Sequence, residues 1–208
     1  MSEKQPVVGW SETKRLIQLD LETYASWLPR VQRSWPAIRR FAYVLFATEM
    51  FGANLLYRLQ TVLYGMGIDP LGGLLSRLNR IFFTVSIGPN VRIGPGLHLV
   101  HGHLVIDGTT TIGANCSVAP FVTIGLSNGS EVPFGASGPT LGDDVGIGTG
   151  AKVLGPIRVG DRSLIGANAV VVSNIPADHT AVGIPARARP SKVRSASSAL
   201  SSLREEQA

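Results

Sequence analysis

Three of the four histidines in the chain lie close together, in the segment GLHLVHGHLVIDG. They are His98, His101 and His103, whereas His179 lies far along the chain. Histidine is the side chain best suited to take up and release a proton near neutral pH. The cluster therefore indicates general acid–base chemistry, with an ordinary exposed histidine as the alternative for each member.

Two other kinds of chemistry are disfavoured by the residues around this cluster. A zinc site needs further histidine or carboxylate ligands, and the neighbouring sequence does not complete such a set, so we expect no metal. Cys116, the single cysteine, could act as a nucleophile, but a buried structural role is the ordinary one for a lone cysteine. The histidines remain the candidates for chemistry.

A repeat of six residues begins near Val85 and must position these histidines. Isoleucine, leucine or valine recurs at this spacing, with one extra residue between Leu99 and Ile106. The positions are Ile87, Ile93, Leu99, Ile106, Ile112, Val118, Ile124, Leu141, Ile147, Val153, Val159, Ile165 and Val171. Glycine usually follows the aliphatic residue, and a small or β-branched residue usually comes four positions after it.

A period of six is explained if three such units close one triangular coil. The aliphatic residue then fills the interior, the small residue fits beside it, and glycine permits the turn. Coils of this kind stack their cores continuously, whereas a helix or a simple strand has a different period. The repeat therefore predicts a parallel β-helix over residues 85–190, in a mainly β chain with a helical N-terminus.

The repeat also predicts the direction of each side chain. Counting from Leu99, His101 is third in its unit and faces outward, to solvent or a neighbouring subunit, which makes it the candidate base. His103 is fifth, a position that is normally inward, but the extra residue leaves its direction open. Cys116 falls on an inward small position, which favours burial.

The remaining segments have simpler patterns. Residues 1–84 are predicted to form a helical region, because apolar residues such as Leu55, Leu59 and Leu63 recur at helical spacing. Residues 126–139 interrupt the repeat with polar residues, glycines and prolines, so we expect a loop that protrudes from the coils. The polar tail 191–208 is expected to be flexible.

Composition narrows the possible partners and compartment. The net charge is +5, but the basic residues form no run, so nucleic-acid binding is not expected. The N-terminus has no apolar core of signal-peptide type, and the most apolar run, residues 41–47, is too short to span a bilayer. A single cysteine excludes an internal disulfide and fits a reducing compartment, so we expect a cytoplasmic protein without a transmembrane segment.

From about Phe51 to Arg189 the sequence resembles the hexapeptide-repeat acyltransferases, and among them the serine acetyltransferase family. The similarity is carried by HLVHGHLVIDG, by PTLGDDVGIGTGAKVLGPIRVGD and by the closing DHTAVGIPARARP. The resemblance implies a left-handed parallel β-helix that acts as an acetyl-CoA-dependent O-acetyltransferase. It also implies a homotrimer with sites between subunits, and leaves a hexamer open because the helical region is shorter than the family's.

The resemblance further assigns roles to residues. It implies that His101 removes the proton from the acceptor hydroxyl, and that the pantetheine arm of acetyl-CoA runs along the coil edges, where a basic side chain meets its phosphates. The residues expected to bind acetyl-CoA are Gly148, Thr149, Lys152, Ala167 and Arg187. Ordinary coil turns and solvated charge are the alternative for each of these five.

The acceptor side departs from the family. The aspartate before the first histidine is replaced by Val100, and Gly138 and Ser137 occupy about the places of a loop histidine and its neighbouring arginine. An arginine and an aspartate are what would hold the carboxylate and ammonium of an amino acid. We expect L-serine or a serine-like acceptor first, a sugar hydroxyl in polysaccharide biosynthesis as the alternative, and a non-catalytic binding protein as a further alternative.

Overall fold

The computed structural model describes residues 9–29, 32, 34–126 and 138–191. Its helices are α1 (Trp10–Ala25), α2 (Ala37–Ala47), α3 (Phe51–Gly65) and α4 (Asp69–Phe83). Short strands follow: β1 (Val85–Ile87), β2 (Arg92–Ile93), β3 (His98–Leu99), β4 (Leu104–Ile106), β5 (Thr111–Ile112), β6 (Ser117–Val118), β7 (Thr123–Gly125), β8 (Thr140–Leu141), β9 (Gly146–Ile147), β10 (Lys152–Leu154), β11 (Arg158–Val159), β12 (Leu164–Ile165), β13 (Val170–Val171), β14 (His179–Val182) and β15 (Arg187–Pro190).

Successive strands belong to different sheets, and every third strand pairs in parallel with the strand one coil before it. The first sheet has the order β1-β4-β7-β10-β13, the second β2-β5-β8-β11, and the third β3-β6-β9-β12-β14. At the end of the third sheet, β15 pairs antiparallel with β14. The fold is therefore a left-handed parallel β-helix of about five triangular coils, as the repeat and the resemblance together predict.

The thirteen aliphatic positions of the repeat form the core of this helix. All are buried, and the most exposed of them, Ile93, has 6% of its surface accessible. The small positions are buried as well, including Thr110, Cys116 and Ser163. Burial of each aliphatic side chain contributes about 1.5–3 kcal/mol, so the stacked hexads supply most of the apolar stabilisation of the coils.

The extra residue of the repeat lies in the turn between β3 and β4, residues 100–103. Leu104 is buried and takes the inward position, since its neighbour Val105 pairs with Thr123 of the next coil. His103, which the simple count puts at that inward position, is instead exposed and has a positive φ of 61°. The extra residue thus turns His103 outward.

Helix α3 covers the open end of the first coil with polar side chains. Asn54 Nδ2 donates to the carbonyl of Leu97 at 2.7 Å, and Gln60 Nε2 donates to the carbonyl of Ile87 at 3.0 Å. The edge of a sheet presents unpaired backbone groups that must be satisfied when they are buried. The side chains of α3 therefore replace the strand that a preceding coil would have supplied.

A buried ion pair completes this end cap. The Arg58 guanidinium lies 2.9 Å from the carboxylate of Asp20 in α1 and donates to the carbonyls of Ile93 and Gly94 at 2.6 Å. The Asp20 carboxylate also accepts the backbone N–H of Gly96 at 2.9 Å. The pair ties α1, α3 and the first coil into one unit.

No helix within the described ranges is long and apolar enough to cross a bilayer. Two sequence predictions concern segments that are wholly or largely outside those ranges. Residues 127–137 of the predicted loop 126–139 and residues 192–208 of the predicted tail 191–208 lie outside the described residues.

Candidate functional site

His101 lies in the turn between β3 and β4 and faces outward, as its position in the repeat predicts. Its side chain has 59% of its surface exposed, and its Nδ1 atom lies 2.8 Å from a carboxylate oxygen of Glu49. Glu49 comes from the short connection between α2 and α3 and is 74% exposed. An imidazole with a carboxylate on one ring nitrogen can use the other nitrogen as a base.

The end of α4 fixes the turn that carries His101. His103 donates its backbone N–H to Thr84 Oγ1 at 2.8 Å, and Leu104 donates its N–H to the Thr84 carbonyl at 3.3 Å. At Gly102 a Cβ atom would collide with the carbonyl oxygen of Phe83 and with Thr84 Oγ1. Glycine is therefore required beside His101 because the chain passes directly against the end of the helix.

The other histidines have different surroundings. His98 packs between Tyr24 and Trp27, with ring centroids 5.2 and 5.3 Å away, and burial lowers the pKa of His98. The ring of His103 stacks on exposed Phe121 at 5.1 Å. Among the described residues, no group of three or more His, Cys, Asp or Glu side chains is arranged to hold a metal ion.

The turn of His101 belongs to one edge of the triangular helix, where the chain passes from the third sheet to the first. Backbone hydrogen bonds connect the successive turns on this edge: Phe121 N–H to His103 O at 2.8 Å, Gly150 N–H to Pro120 O at 2.9 Å, and Asn168 N–H to Thr149 O at 2.8 Å. We call residues 100–103, 119–122, 148–151 and 166–169 the His101 edge. It runs the length of the described coils.

Three of the predicted acetyl-CoA residues lie on the His101 edge. Thr149 and Ala167 are exposed there, in successive coils. Gly148 is half-buried, and a Cβ atom at this position would lie 2.7 Å from the backbone nitrogen of Ala167. Glycine at 148 is thus already required by the stacking of the coils, whether or not a ligand approaches it.

The two predicted basic residues lie next to the same edge. Lys152 begins β10, and its Nζ atom donates to the carbonyl of Phe121 at 2.7 Å. Arg187 is exposed at the start of β15, and its neighbour Ala186 donates its backbone N–H to the Val170 carbonyl of β13. Arg187 therefore lies near the end of the edge, while the Lys152 ammonium is bound to the coil surface nearer to His101.

Gly138, which by the resemblance occupies about the place of the family's second histidine, packs closely against backbone. Gly138 is buried and donates its N–H to Thr109 Oγ1 at 2.8 Å. A Cβ atom at Gly138 would lie 2.9 Å from the backbone nitrogen of Thr110, which cannot move aside easily. No side chain fits here without a shift of the coil. Ser137 lies outside the described residues.

Cys116 is fully buried, at the inward small position that the repeat predicts. Its Sγ atom lies 3.2 Å from the carbonyl of Gly142, and burial raises the pKa of the thiol to about 12. The thiolate is the nucleophilic form of cysteine, so this side chain is unsuited to form an acyl intermediate.

Sequence reasoning missed Glu49, which lies 52 positions before His101. The hexad pattern contains no information about it, because its position depends on how the helices pack against the first coil. The available signal is a single acidic residue between two strongly apolar segments, FAYVLFAT and MFGANLL, and such a residue is ordinarily only solvated.

Comparison with known proteins agrees with this architecture. Residues 138–173 match the family model described as bacterial transferase hexapeptide (six repeats). The serine acetyltransferase of Helicobacter pylori strain J99 is 42% identical over 161 residues, which cover 77% of this chain and 92% of that protein. The serine acetyltransferase of Synechococcus elongatus is 39% identical over 153 residues, but the match spans only 62% of its length and 73% of this chain.

A crystal structure of serine acetyltransferase in complex with coenzyme A, from Brucella abortus strain S19, superposes with a TM-score of 0.74. The two chains are 29% identical, and the superposition covers 89% of this chain and 71% of that one. The likeness therefore includes the helices as well as the coils. With 42% identity over nearly the whole Helicobacter protein, the chain belongs to the serine acetyltransferase family of hexapeptide-repeat acyltransferases.

Proposed function

We propose that this protein is an acetyl-CoA-dependent O-acetyltransferase that transfers an acetyl group to the hydroxyl of L-serine or a closely similar small acceptor. The observation that carries the proposal is the His101 edge. It bears an outward imidazole with a carboxylate at 2.8 Å from Nδ1, and the small exposed residues Thr149 and Ala167 lie two and three coils further along the same edge. The relatives that this chain matches in Synechococcus elongatus and Helicobacter pylori are named serine acetyltransferases.

The acetyl group is transferred directly from acetyl-CoA to the acceptor, and His101 accepts and then returns one proton. Its Nε2 atom takes the proton of the acceptor hydroxyl while the hydroxyl oxygen attacks the carbonyl carbon of the acetyl thioester. A backbone N–H from a coil turn stabilises the oxyanion of the tetrahedral intermediate. The C–S bond then breaks, and the departing thiolate of coenzyme A receives the proton from His101. Such a base contributes about 10²–10⁴-fold, and positioning of the two substrates supplies much of the rest.

We assign the binding of acetyl-CoA, the donor substrate, to the part of the His101 edge beyond the His101 turn. Thr149 and Ala167 carry short exposed side chains, so the pantetheine arm can approach the backbone of the turns. Arg187, beyond Ala167, or Lys152 offers a positive charge to the phosphates. The net charge of +5 also favours an anionic substrate over a cationic one.

A sugar hydroxyl is the second candidate acceptor, and a specific observation favours it. Val100 precedes His101, and buried Gly138 leaves no room for a side chain where the family has its second histidine. The side chains that would hold an amino acid's charged groups are therefore replaced at these positions. A sugar has no such charged groups and would not need them.

The assembly and compartment form part of the proposal. We propose a homotrimer in which neighbouring β-helices form a cleft over His101, because this side chain faces outward with 59% of its surface exposed. Pairing of trimers into a hexamer through the helical region is the alternative. Cys116 is a free, buried cysteine, which suits a cytoplasmic protein.

A panel of acceptors tests the proposal. Purified protein is incubated with acetyl-CoA and with serine, homoserine, free sugars or nucleotide sugars, and the released thiol of coenzyme A is measured together with the mass of the product. We expect the highest kcat/KM with serine. The His101→Ala variant should lose about 10²–10⁴-fold in kcat, while His179→Ala should retain the wild-type value.

Each result has a distinct meaning. A sugar preferred over serine would establish the second candidate and reject the first. Absence of turnover with every acceptor, together with absence of acetyl-CoA binding in calorimetry, would reject the enzyme. Unchanged kcat in His101→Ala would reject the role of this base alone.

A further inference from the structure

We infer that Glu49 is the positioning residue of His101, supplied to the β-helix by the helical region. This inference rests on the proposed function, since it assigns the group through which the base is oriented. The residue before His101 in the coil is Val100, an apolar side chain with no hydrogen-bonding group. Within the described part of the chain, the carboxylate of Glu49 is the group that lies at hydrogen-bonding distance, 2.8 Å, from the His101 ring.

The backbone of Glu49 is held by buried neighbours. On one side, Thr48 lies at the end of α2. Its backbone N–H and its Oγ1 hydroxyl both donate to the carbonyl of Val44, at 3.1 and 2.6 Å. On the other side, Met50 and Phe51 are 4% and 0% exposed. The carboxylate therefore projects into solvent from a short connection that is fixed on both sides.

His101 is presented by an equally fixed turn. Tyr24 of α1 clamps the preceding strand, since its hydroxyl donates to the Leu99 carbonyl at 3.2 Å and accepts the Leu99 N–H at 3.0 Å. On the other side, Gly102 packs directly against the end of α4 at Phe83. Both partners thus belong to anchored backbone, so the fold itself sets their separation.

The contact selects one tautomer of the ring. A neutral imidazole carries one N–H, and an ionised carboxylate can only accept a hydrogen bond. Glu49 therefore keeps the proton on Nδ1 and leaves the lone pair on Nε2 for the acceptor hydroxyl. When Nε2 takes that proton, the imidazolium keeps a charge-assisted hydrogen bond to the Glu49 carboxylate.

Exposure determines what kind of effect this contact can have. An exposed ion pair contributes little to stability, and Glu49 is 74% exposed. Its effect on the reaction is larger, because orientation of the base matters in every turnover. Substitution of Glu49 should therefore change catalysis and leave the melting temperature nearly unchanged.

Kinetics of matched variants tests this role. Glu49→Gln keeps the length of the side chain and removes its charge, Glu49→Asp keeps the charge, and Glu12→Gln is a control at an exposed glutamate that pairs with Arg15 at 3.0 Å. We expect Glu49→Gln to lower kcat at least about tenfold with little change in either KM, and Glu49→Asp to restore part of the loss. Glu12→Gln should match the wild type.

A double variant separates action through His101 from a general effect. If Glu49 acts through the ring, Glu49→Gln should cause no further loss of kcat in a His101→Ala background. An equal loss in both backgrounds would overturn the inference. So would a Glu49→Gln enzyme that is as active as the wild type toward the acceptor found in the panel.

A spectroscopic measurement keeps the inference independent of activity. Nitrogen NMR of the histidine rings should show the Nδ1–H tautomer at His101, assigned by its loss in His101→Ala, and a shift toward Nε2–H in Glu49→Ala. An unchanged ring spectrum would overturn the inference even in an active enzyme. A changed spectrum in a protein that turns over no acceptor and binds no acetyl-CoA would uphold the contact and reject the proposed function.

Discussion

At the scale of single residues, three histidines of one coil differ because different elements pack against them. Tyr24 of α1 and Trp27, just after α1, enclose His98 with their rings. An acidic residue from the α2–α3 connection contacts His101, and an aromatic ring of the next coil stacks on His103. The same residue type thus has a packing role, a candidate chemical role and a surface contact within one turn of the β-helix.

The surroundings of His98 predict an acid-sensitive stability. Burial lowers the pKa of His98 from its ordinary value of 6.5. Above that pH the ring is neutral in both states, whereas below it the unfolded chain binds a proton that the folded chain does not. Stability should therefore fall as the pH falls from about 6.5 toward the lower folded pKa.

Thermal melts of His98→Phe measure this contribution. The substitution keeps an aromatic ring between Tyr24 and Trp27 and removes the titrating group. Between about pH 7.5 and about pH 5.5, the melting temperature of the wild type should decrease more than that of the variant. His179→Ala should keep the wild-type dependence. Parallel curves for wild type and His98→Phe would show that His98 does not carry the effect.

The repeat predicts those residue properties that depend on position within a hexad. The outward direction of His101 and the burial of Cys116 follow from the period of six alone. The direction of His103 does not, because one extra residue moves Leu104 into the inward place. The role of Glu49 could not be predicted from the sequence. Its contact with His101 spans 52 positions and depends on helix packing, about which a local pattern carries no information.

At the scale of elements, α3 buries polar side chains together with apolar ones. Its buried residues include Asn54, Arg58 and Gln60, whereas Leu55 and Leu59, whose spacing predicts the helix, are only half-buried. The reason is that α3 packs against the backbone edge of a coil, which requires hydrogen-bonding groups. Sequence periodicity therefore predicted the helix correctly but not the face by which it packs.

The buried ion pair of this cap should be sensitive to substitution. Arg58→Met leaves the Asp20 carboxylate buried without its partner, which typically costs about 3–5 kcal/mol of unfolding free energy. The matched control is Arg15→Met, because Arg15 pairs with Glu12 on an exposed surface of α1. That change should cost at most about 1 kcal/mol.

Urea unfolding measures both variants. The expected pattern is a much lower midpoint for Arg58→Met, with a common slope for all three proteins. Similar small shifts in the two variants would mean that the contacts of Arg58 with Asp20, Ile93 and Gly94 contribute no more than an exposed pair.

At the scale of the whole molecule, one continuous core runs from α1 to the last coil, but it is not uniform. Only Val44 is buried in α2, whereas eight residues are buried in α3. Elements with few buried contacts open locally at the lowest free energy. We expect hydrogen exchange, measured by mass spectrometry, to be faster in α2 than in α3 and slowest in the strands of the central coils. Equal protection of α2 and α3 would contradict this gradient.

The two closed ends of the stack have a consequence for the substrate. α3 ends it at the first coil, and antiparallel β15 ends it at the last, so the number of hexads between them fixes its length. The His101 turn and the Ala167 turn are three coils apart, which at roughly 4.8 Å per coil corresponds to about 14 Å. Distances along the edge therefore increase in steps of one coil. If acetyl-CoA binds along this edge as proposed, a chain with one coil inserted between the two turns would fold by the same rules but hold them roughly 4.8 Å further apart, and we expect it to bind acetyl-CoA more weakly.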